Sequence, residues 1–242
     1  MIFKMDKLFI VIPAYNEQEN IEELVSEWYP VIDDKPEGSG LIIINDGSTD
    51  NTGSVLGSME ANYPKLTVIN KKNGGHGSAV LCGYRYAVDN GSDYVFQTDS
   101  DLQTDPKEFS VFWDKRQEYD AIFGFRPQRG DGLARSIVEK VVCIMLRIFF
   151  GIKVPDANAP FRLFGSEKLK KYLDLINPEY ALPNIILTAF YSYKNEKICF
   201  LPISFAARKR GKQSMNIKKI FKVGLKSLTD FGYYRNKVKD GK

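Results

Sequence analysis

Five short runs, Leu8–Ile12, Leu41–Asn45, Leu66–Ile69, Tyr94–Gln97 and Asp120–Phe125, are apolar almost throughout, and stretches of helical periodicity separate them. A strand that is apolar at every position must be covered on both faces. Intervening helices supply that cover while carrying the chain back to begin the next strand in the same direction. The expected fold class is therefore α/β, a doubly wound and mostly parallel sheet with helices on both faces. The helical stretches are Glu17–Ile32, with Ile21, Leu24, Val25 and Trp28 at helical spacing, a segment through Met59 capped by Ser48 or Asp50, and Ser78–Val88. Asp105-Pro106 has the form of an N-cap followed by proline at the first helical position.

The second half is less regular. Gly132–Ile152 reads as one or two helices, Val154–Pro160 as a loop, Phe161–Phe164 as a strand, and Ser166–Leu175 and Leu182–Tyr193 as helices. Ile198–Leu201 and Ile203–Ala206 read as short strands split by Pro202. No repeat or linker is visible, so the expected organisation is one domain over 1–210 and a C-terminal extension over 211–242.

In a parallel sheet of this kind, ligands bind beyond the carboxyl ends of the strands. Polar and glycine residues gather at those ends here, as PAYNE, NDGSTD, NKKNGGHG and TDSDLQ. The last carries the most chemistry. Asp99 and Asp101 leave an apolar strand two residues apart, and their carboxylates are hard oxygen ligands suited to Mg²⁺ or Mn²⁺ shared with a substrate phosphate. Gln103 offers a third oxygen. Tyr15 presents a flat ring for a nucleotide base, and Glu17 and Asp46 are placed to accept hydrogen bonds from base or ribose. The glycine turn Asn73–Gly77 precedes a helix, where backbone N–H groups can approach phosphate, but the order of its residues is not that of a P-loop. His76 is the single histidine, which excludes a His-based zinc site, and the chain has no serine-hydrolase elbow.

Composition narrows the partners. The three cysteines are far apart and form neither a disulfide framework nor a metal cluster, so a reducing compartment is expected. The N-terminal MIFKMDKLFIVIP reads as the first strand rather than a signal peptide. Glu139, Lys140 and Arg147 interrupt the apolar stretch Ile137–Ile152, so no membrane-spanning helix is expected. From Phe205 onward twelve Lys/Arg face two Asp/Glu, a basic end that suits an anionic partner. Ile217, Ile220, Phe221, Gly224, Leu228 and Phe231 share a helical stripe, while Lys218, Lys219, Lys222 and Lys226 lie mostly off it. That pattern fits a helix lying in an anionic membrane interface or one packed on the domain core. The end carries no recognisable nucleic-acid module, so no nucleic acid partner is expected.

Taken in order, PAYNE, DGSTDNT, NGGHGSAVLCGYRYA and TDSDLQTDP resemble the family 2 glycosyltransferases of GT-A fold, well over Leu8–Phe125 and more loosely to Arg208. The DSDLQ-x-x-P stretch, Gly124-Phe125-Arg126 and the Asp156…Pro160-Phe161-Arg162 loop are similar to the polyprenyl-phosphate branch of that family. The resemblance implies inverting, metal-dependent transfer of a sugar from a UDP- or GDP-sugar to a polyprenyl phosphate or a glycan precursor, on the cytoplasmic face of a membrane. It implies that Pro13, Ala14, Tyr15, Glu17, Asp46, Gly77 and Asp99 hold the nucleotide sugar, and that Asp99, Asp101 and Gln103 hold Mg²⁺ or Mn²⁺. Arg126, Arg135, Arg162 and Arg208 would face phosphates of donor or acceptor. Asp156 and Asp101 would be catalytic, Asp156 as base toward a hydroxyl or as an orienting group toward a phosphate. Two departures stand out: no transmembrane helix follows the domain, and Asp156-Ala157-Asn158-Ala159 replaces a Ser/Cys-Gly pair common in relatives. The rival readings are a sugar nucleotidyltransferase, which calls for a GxGxRxxP-like loop where PAYNE stands, and a non-catalytic binder of nucleotide or nucleic acid.

Overall fold

The computed structural model describes residues 5–128, 133–208 and 217–241, with the side chains of 133–135 and 217–228 outside that description. Seven strands form one sheet: β1 (Leu8–Ala14), β2 (Gly40–Asp46), β3 (Leu66–Lys71), β4 (Tyr94–Thr98), β5 (Ala121–Phe125), β6 (Phe161–Gly165) and β7 (Ile198–Pro202). Their spatial order is β3-β2-β1-β4-β6-β5-β7. β6 runs antiparallel to both its neighbours, and every other pairing is parallel.

The apolar strands are explained by two cores, one on each face. Val11, Ile42, Ile44 and Val95 join a core that includes Ala79, Leu146, Leu169, Ile186 and Phe231. These come from α3 (His76–Asp89), α5 (Leu133–Phe150), α6 (Ser166–Leu173), α7 (Pro183–Tyr193) and α8 (Ile217–Asp240). The alternate residues Leu8, Ile10, Ile12, Leu41, Ile43 and Phe96 pack with α1 (Ile21–Asp33), α2 (Thr52–Glu60) and α4 (Phe109–Asp114). On that side Trp28 is buried against Phe96, Phe109 and Phe161, with ring centroids 5.4, 6.5 and 6.0 Å apart.

α3 lies close to the sheet because Gly83 faces it: a Cβ there would sit 2.2 Å from Val11 Cγ1. Gly83→Ala should therefore destabilise the fold by about 1–3 kcal/mol despite alanine's better helix propensity. Urea unfolding monitored by circular dichroism measures this, and an unchanged midpoint would contradict it.

Several expected boundaries move. α1 begins four residues after Glu17, and α2 has Asn51 at its N-cap position. Asp50 still serves that helix start, accepting from Thr52 N at 3.0 Å and Thr52 Oγ1 at 2.6 Å. Asp105 does cap the turn Pro106–Glu108. The expected strand Ile203–Ala206 is absent. Pro202 ends β7, and the segment makes single bonds instead of a ladder, from Ile203 N to Phe125 O and from Ala206 N to Gln103 O, both 2.9 Å. All three cysteines are free and half-buried.

Among the described residues, no helix is long and apolar enough to cross a membrane. The C-terminal part of α8 packs on the core: Phe231, Tyr234 and Val238 are buried, with Phe231 against Phe149 and Phe150. The rest of the expected amphipathic stripe, Ile217 to Leu228, lies outside the described side chains.

Candidate active site

The carboxyl ends of β1, β2, β4 and β5 meet at one edge of the sheet, and their loops are tied to one another. Pro13 and Ala14 are the buried last residues of β1, and Tyr15 stands exposed just beyond them. Asn16 takes a left-handed backbone, φ 54°, and reaches the second loop, its N–H donating to Ser48 Oγ at 3.0 Å. Glu17 N donates to Thr52 Oγ1 at 2.9 Å. The Glu17 carboxylate accepts from Asn20 Nδ2 at 2.6 Å and from Arg208 Nη2 at 2.7 and 2.8 Å. Burial raises its pKa, and Asn20 and Arg208 oppose that rise. Arg208, distant in sequence, is thus brought beside the end of β1.

Asp46 departs from expectation. Its carboxylate accepts from Lys71 Nζ at 2.6 Å, Gly74 N at 3.0 Å and Gly75 N at 2.8 Å. The glycine-turn amides that the sequence suggests for a phosphate are held by the chain's own carboxylate. Gly47, φ 67°, makes this possible, since a Cβ there would lie 2.7 Å from Asn73 N. Gly77 is also explained by packing: a Cβ would lie 2.3 Å from the Tyr180 carbonyl oxygen, so α3 needs glycine to begin beneath that segment.

Asp99 is aimed by a buried relay. Tyr84 OH donates to Asn184 Oδ1 at 3.2 Å, Asn184 Nδ2 to Gln97 Oε1 at 3.0 Å, and Gln97 Nε2 to Asp99 Oδ1 at 3.0 Å. The sequence reading missed Gln97 and Asn184; the available signal was an amide ending a strand that is otherwise apolar. Three residues after Asp99, Leu102 takes φ 56°, an uncommon conformation for leucine that turns the loop back. Gln103 is fixed by this turn, its side-chain nitrogen donating to Ala206 O. His76, the first residue of α3, lies half-exposed with Nε2 3.8 Å from Asp99 Oδ1.

The Asp99–Asp101 pair fits a divalent cation on electrostatic grounds. Burial, then the Asp99 charge, pushes the Asp101 carboxyl up to about 7, with Arg208 opposing. Two carboxylates that resist joint ionisation gain most from a cation between them. Among the described residues no group of three or more His, Cys, Asp or Glu surrounds a metal position. Mg²⁺ and Mn²⁺ are often held by one or two carboxylates with substrate phosphates completing the shell.

A pH dependence follows. The folded protein binds the Asp101 proton more tightly than the unfolded chain does. The pair therefore disfavours folding above about pH 7, and this penalty fades as pH falls through that value. A cation displaces the same proton, so Mn²⁺ affinity should rise with pH up to about 7 and then level off. Calorimetry in buffers of different ionisation heat should show proton release on binding near pH 6, about one unit below the Asp101 titration, where the carboxyl is still mostly protonated. Binding without proton release would contradict the assignment.

At the end of β5, Arg126 and Asp156 form a buried two-point pair, Nε to Oδ2 at 2.8 Å and Nη2 to Oδ1 at 3.0 Å. Asn158 N also donates to Asp156 at 2.9 Å. Glu139, which the sequence reading did not single out, accepts from Ala157 N at 2.7 Å and lies 3.8 Å from Arg126. Burial alone would raise the Asp156 pKa, yet the Arg126 bonds and charge outweigh it, and the carboxyl titrates below its ordinary value. Arg162 is corrected. It is fully buried, donating to the carbonyls of Ala157, Ala159 and Asn184 and to Thr188 Oγ1, and no phosphate can reach it. The Arg135 side chain lies outside the described residues.

Comparison with known proteins agrees with this fold. The glycosyl transferase family 2 model matches residues 9–173. The undecaprenyl-phosphate 4-deoxy-4-formamido-L-arabinose transferase of Shewanella sediminis (strain HAW-EB3) is 27% identical over 173 residues, 70% of this chain and 51% of that protein. Its counterpart from Sodalis glossinidius (strain morsitans) is 25% identical over 221 residues, 90% of this chain and 65% of that protein. The chain spans about half the length of most curated relatives it matches. S. aureus TarS 1-349 with UDP-GlcNAc superposes with a TM-score of 0.62 at 20% identity, covering 96% of this chain and 70% of that one. Glucosyl-3-phosphoglycerate synthase from Mycobacterium tuberculosis, with Mn²⁺, UDP-glucose and phosphoglyceric acid, gives 0.66 at 17% identity, covering 95% and 79%. These structures establish the GT-A fold, and the family match decides against the nucleotidyltransferase and the non-catalytic binder. The chain belongs to glycosyl transferase family 2 and is a glycosyltransferase.

Proposed function

We propose that this enzyme transfers a sugar from a nucleoside-diphosphate sugar to a polyprenyl phosphate in one inverting displacement. The single observation that carries the acceptor is the Arg126–Asp156 pair. A sugar hydroxyl must surrender a proton to a base as it attacks, whereas a phosphate arrives already anionic. A carboxylate clamped by arginine and held below its ordinary pKa is a poor proton acceptor. Asp156 in this reading is held in an ion pair with Arg126 and orients the acceptor end of the site instead of taking a proton. The curated relatives, named for an undecaprenyl-phosphate acceptor, support the same class.

On the donor side, Tyr15, Glu17 and Asp46 belong to the nucleotide end, Asp46 by shaping the glycine turn. Arg208 is poised to exchange Glu17 for a phosphate. Asp99 and Asp101, with Gln103 behind them, would hold Mg²⁺ or Mn²⁺, which supplies positive charge to the departing diphosphate. The division into a catalytic domain over 1–210 and a basic extension over 211–242, and a peripheral position on the cytoplasmic face of a membrane, are parts of the same proposal. The half-buried free cysteines suit that reducing side.

The test is a screen of UDP- and GDP-sugars with Mn²⁺ or Mg²⁺, with and without undecaprenyl phosphate. Asp156→Asn, which keeps the shape of the side chain, should retain transfer to undecaprenyl phosphate within about tenfold, the size of a lost positioning contact. Transfer to a sugar hydroxyl that exceeds transfer to the lipid phosphate and vanishes in Asp156→Asn would replace this reading with a base-catalysed one.

A further inference from the structure

We propose that the outward face of α5 seats the protein on an anionic lipid bilayer, with the helix lying in the headgroup layer. The placement deepens the polyprenyl-phosphate reading and rests on it for its functional meaning. Ile137, Val141, Ile144 and Ile148 are 62%, 49%, 58% and 73% exposed, and they recur at i, i+4, i+7 and i+11, so they form one ridge. With Val138 beside them, they are five of the nine large exposed hydrophobics among the described residues. Single exposed apolar residues are ordinary, but a ridge of them marks an interaction surface. The opposite side of α5 is in the core, with Leu146 and Phe150 buried there. Anchored on that side, α5 cannot turn to cross a membrane and is placed to lie along one.

Charge identifies the occupant. Lys140 and Arg147 are exposed on α5, and Lys153 follows it. The helix has one acid, Glu139, and that side chain is engaged with Ala157 N and Arg126. α8, rich in lysine, packs alongside through Phe231 on Phe149 and Phe150. An apolar ridge flanked on its own helix by the exposed bases Lys140 and Arg147 matches acyl chains beneath anionic headgroups. A two-fold pairing of this face with a second copy would bring like charges together. The same helix holds the acceptor end of the site through Glu139, so a bilayer under the ridge brings a lipid phosphate toward that end from the side.

The test is sedimentation of the full chain with phosphatidylcholine vesicles, with and without phosphatidylglycerol, in the absence of donor and polyprenyl phosphate. Wild type should bind the anionic vesicles, and Ile144→Glu/Ile148→Glu should weaken that binding at least about tenfold. Lys140→Glu/Arg147→Glu, which leaves the ridge intact, should weaken binding to anionic vesicles by a similar factor. If the isoleucine variant fails to fold by circular dichroism, Ile148→Ser and the charge variant decide. Wild type that ignores anionic vesicles, or folded variants that bind as wild type does, would overturn the proposal. So would a dimer that the isoleucine variant dissociates while vesicle binding persists. Failure of the acceptor reading is distinguishable: vesicle binding would respond as described, yet no sugar would reach undecaprenyl phosphate.

Discussion

Asp99→Asn/Asp101→Asn should lower sugar transfer by roughly 10³-fold or more while leaving the protein folded, since a metal's charge on a leaving group is worth several kcal/mol of barrier. Stability makes the variant informative. The Asp101 carboxyl is pushed up by burial and by Asp99, so the metal-free pair opposes folding at alkaline pH. Removing both charges should leave the thermal midpoint of metal-free protein unchanged or raise it, and Mn²⁺ should no longer shift it. An inactive variant with an intact or higher midpoint has lost chemistry and not structure. A variant that transfers sugar at a near wild-type rate would remove the pair from the reaction.

Arg162→Met should destabilise the protein by about 3–5 kcal/mol, the range for breaking a fully buried charged hydrogen-bond network. The guanidinium joins three backbone carbonyls and Thr188 Oγ1, which fastens the 157–159 loop and β6 to the start of α7. It also lies 5.1 Å from the centre of the Phe123 ring. Burial lowers its pKa to about 10, so it remains charged at neutral pH. Lysine lacks the planar fork needed to reach these acceptors together, and Arg162→Lys should recover little of the loss. Chemical denaturation measures the effect. Wild-type stability combined with weakened donor or acceptor binding would return Arg162 to the phosphate-binding role that its motif suggests.

Arg162 also shows how far the sequence carries. The sheet was legible because Leu8–Ile12 and Leu41–Asn45 are apolar at consecutive positions, which demands cover on both faces. The same logic, applied to Phe161–Phe164, buries Arg162: its neighbours face one core and its own side faces the other. Motif likeness outweighed that argument and pointed outward. The direction of β6 was not legible, since a strand covered on both faces reads the same whether parallel or antiparallel. The position of Asp99 and Asp101 followed from the strand-end rule, but the Tyr84–Asn184–Gln97 relay behind them did not. It joins residues up to 100 positions apart in sequence, and no local pattern encodes such pairing. Asp46 does end β2, yet its partners were not foreseen. A carboxylate beside a glycine turn accepts from those amides as readily as a nucleotide accepts from them.

The most direct test of the account is sugar transfer to undecaprenyl phosphate before and after metal removal. Protein stripped with EDTA should lose activity by roughly 10³-fold and regain it on addition of Mn²⁺ or Mg²⁺, with release of nucleoside diphosphate matching lipid glycosylation. Undiminished transfer in EDTA would contradict the claim that a divalent cation at Asp99 and Asp101 supports departure of the diphosphate.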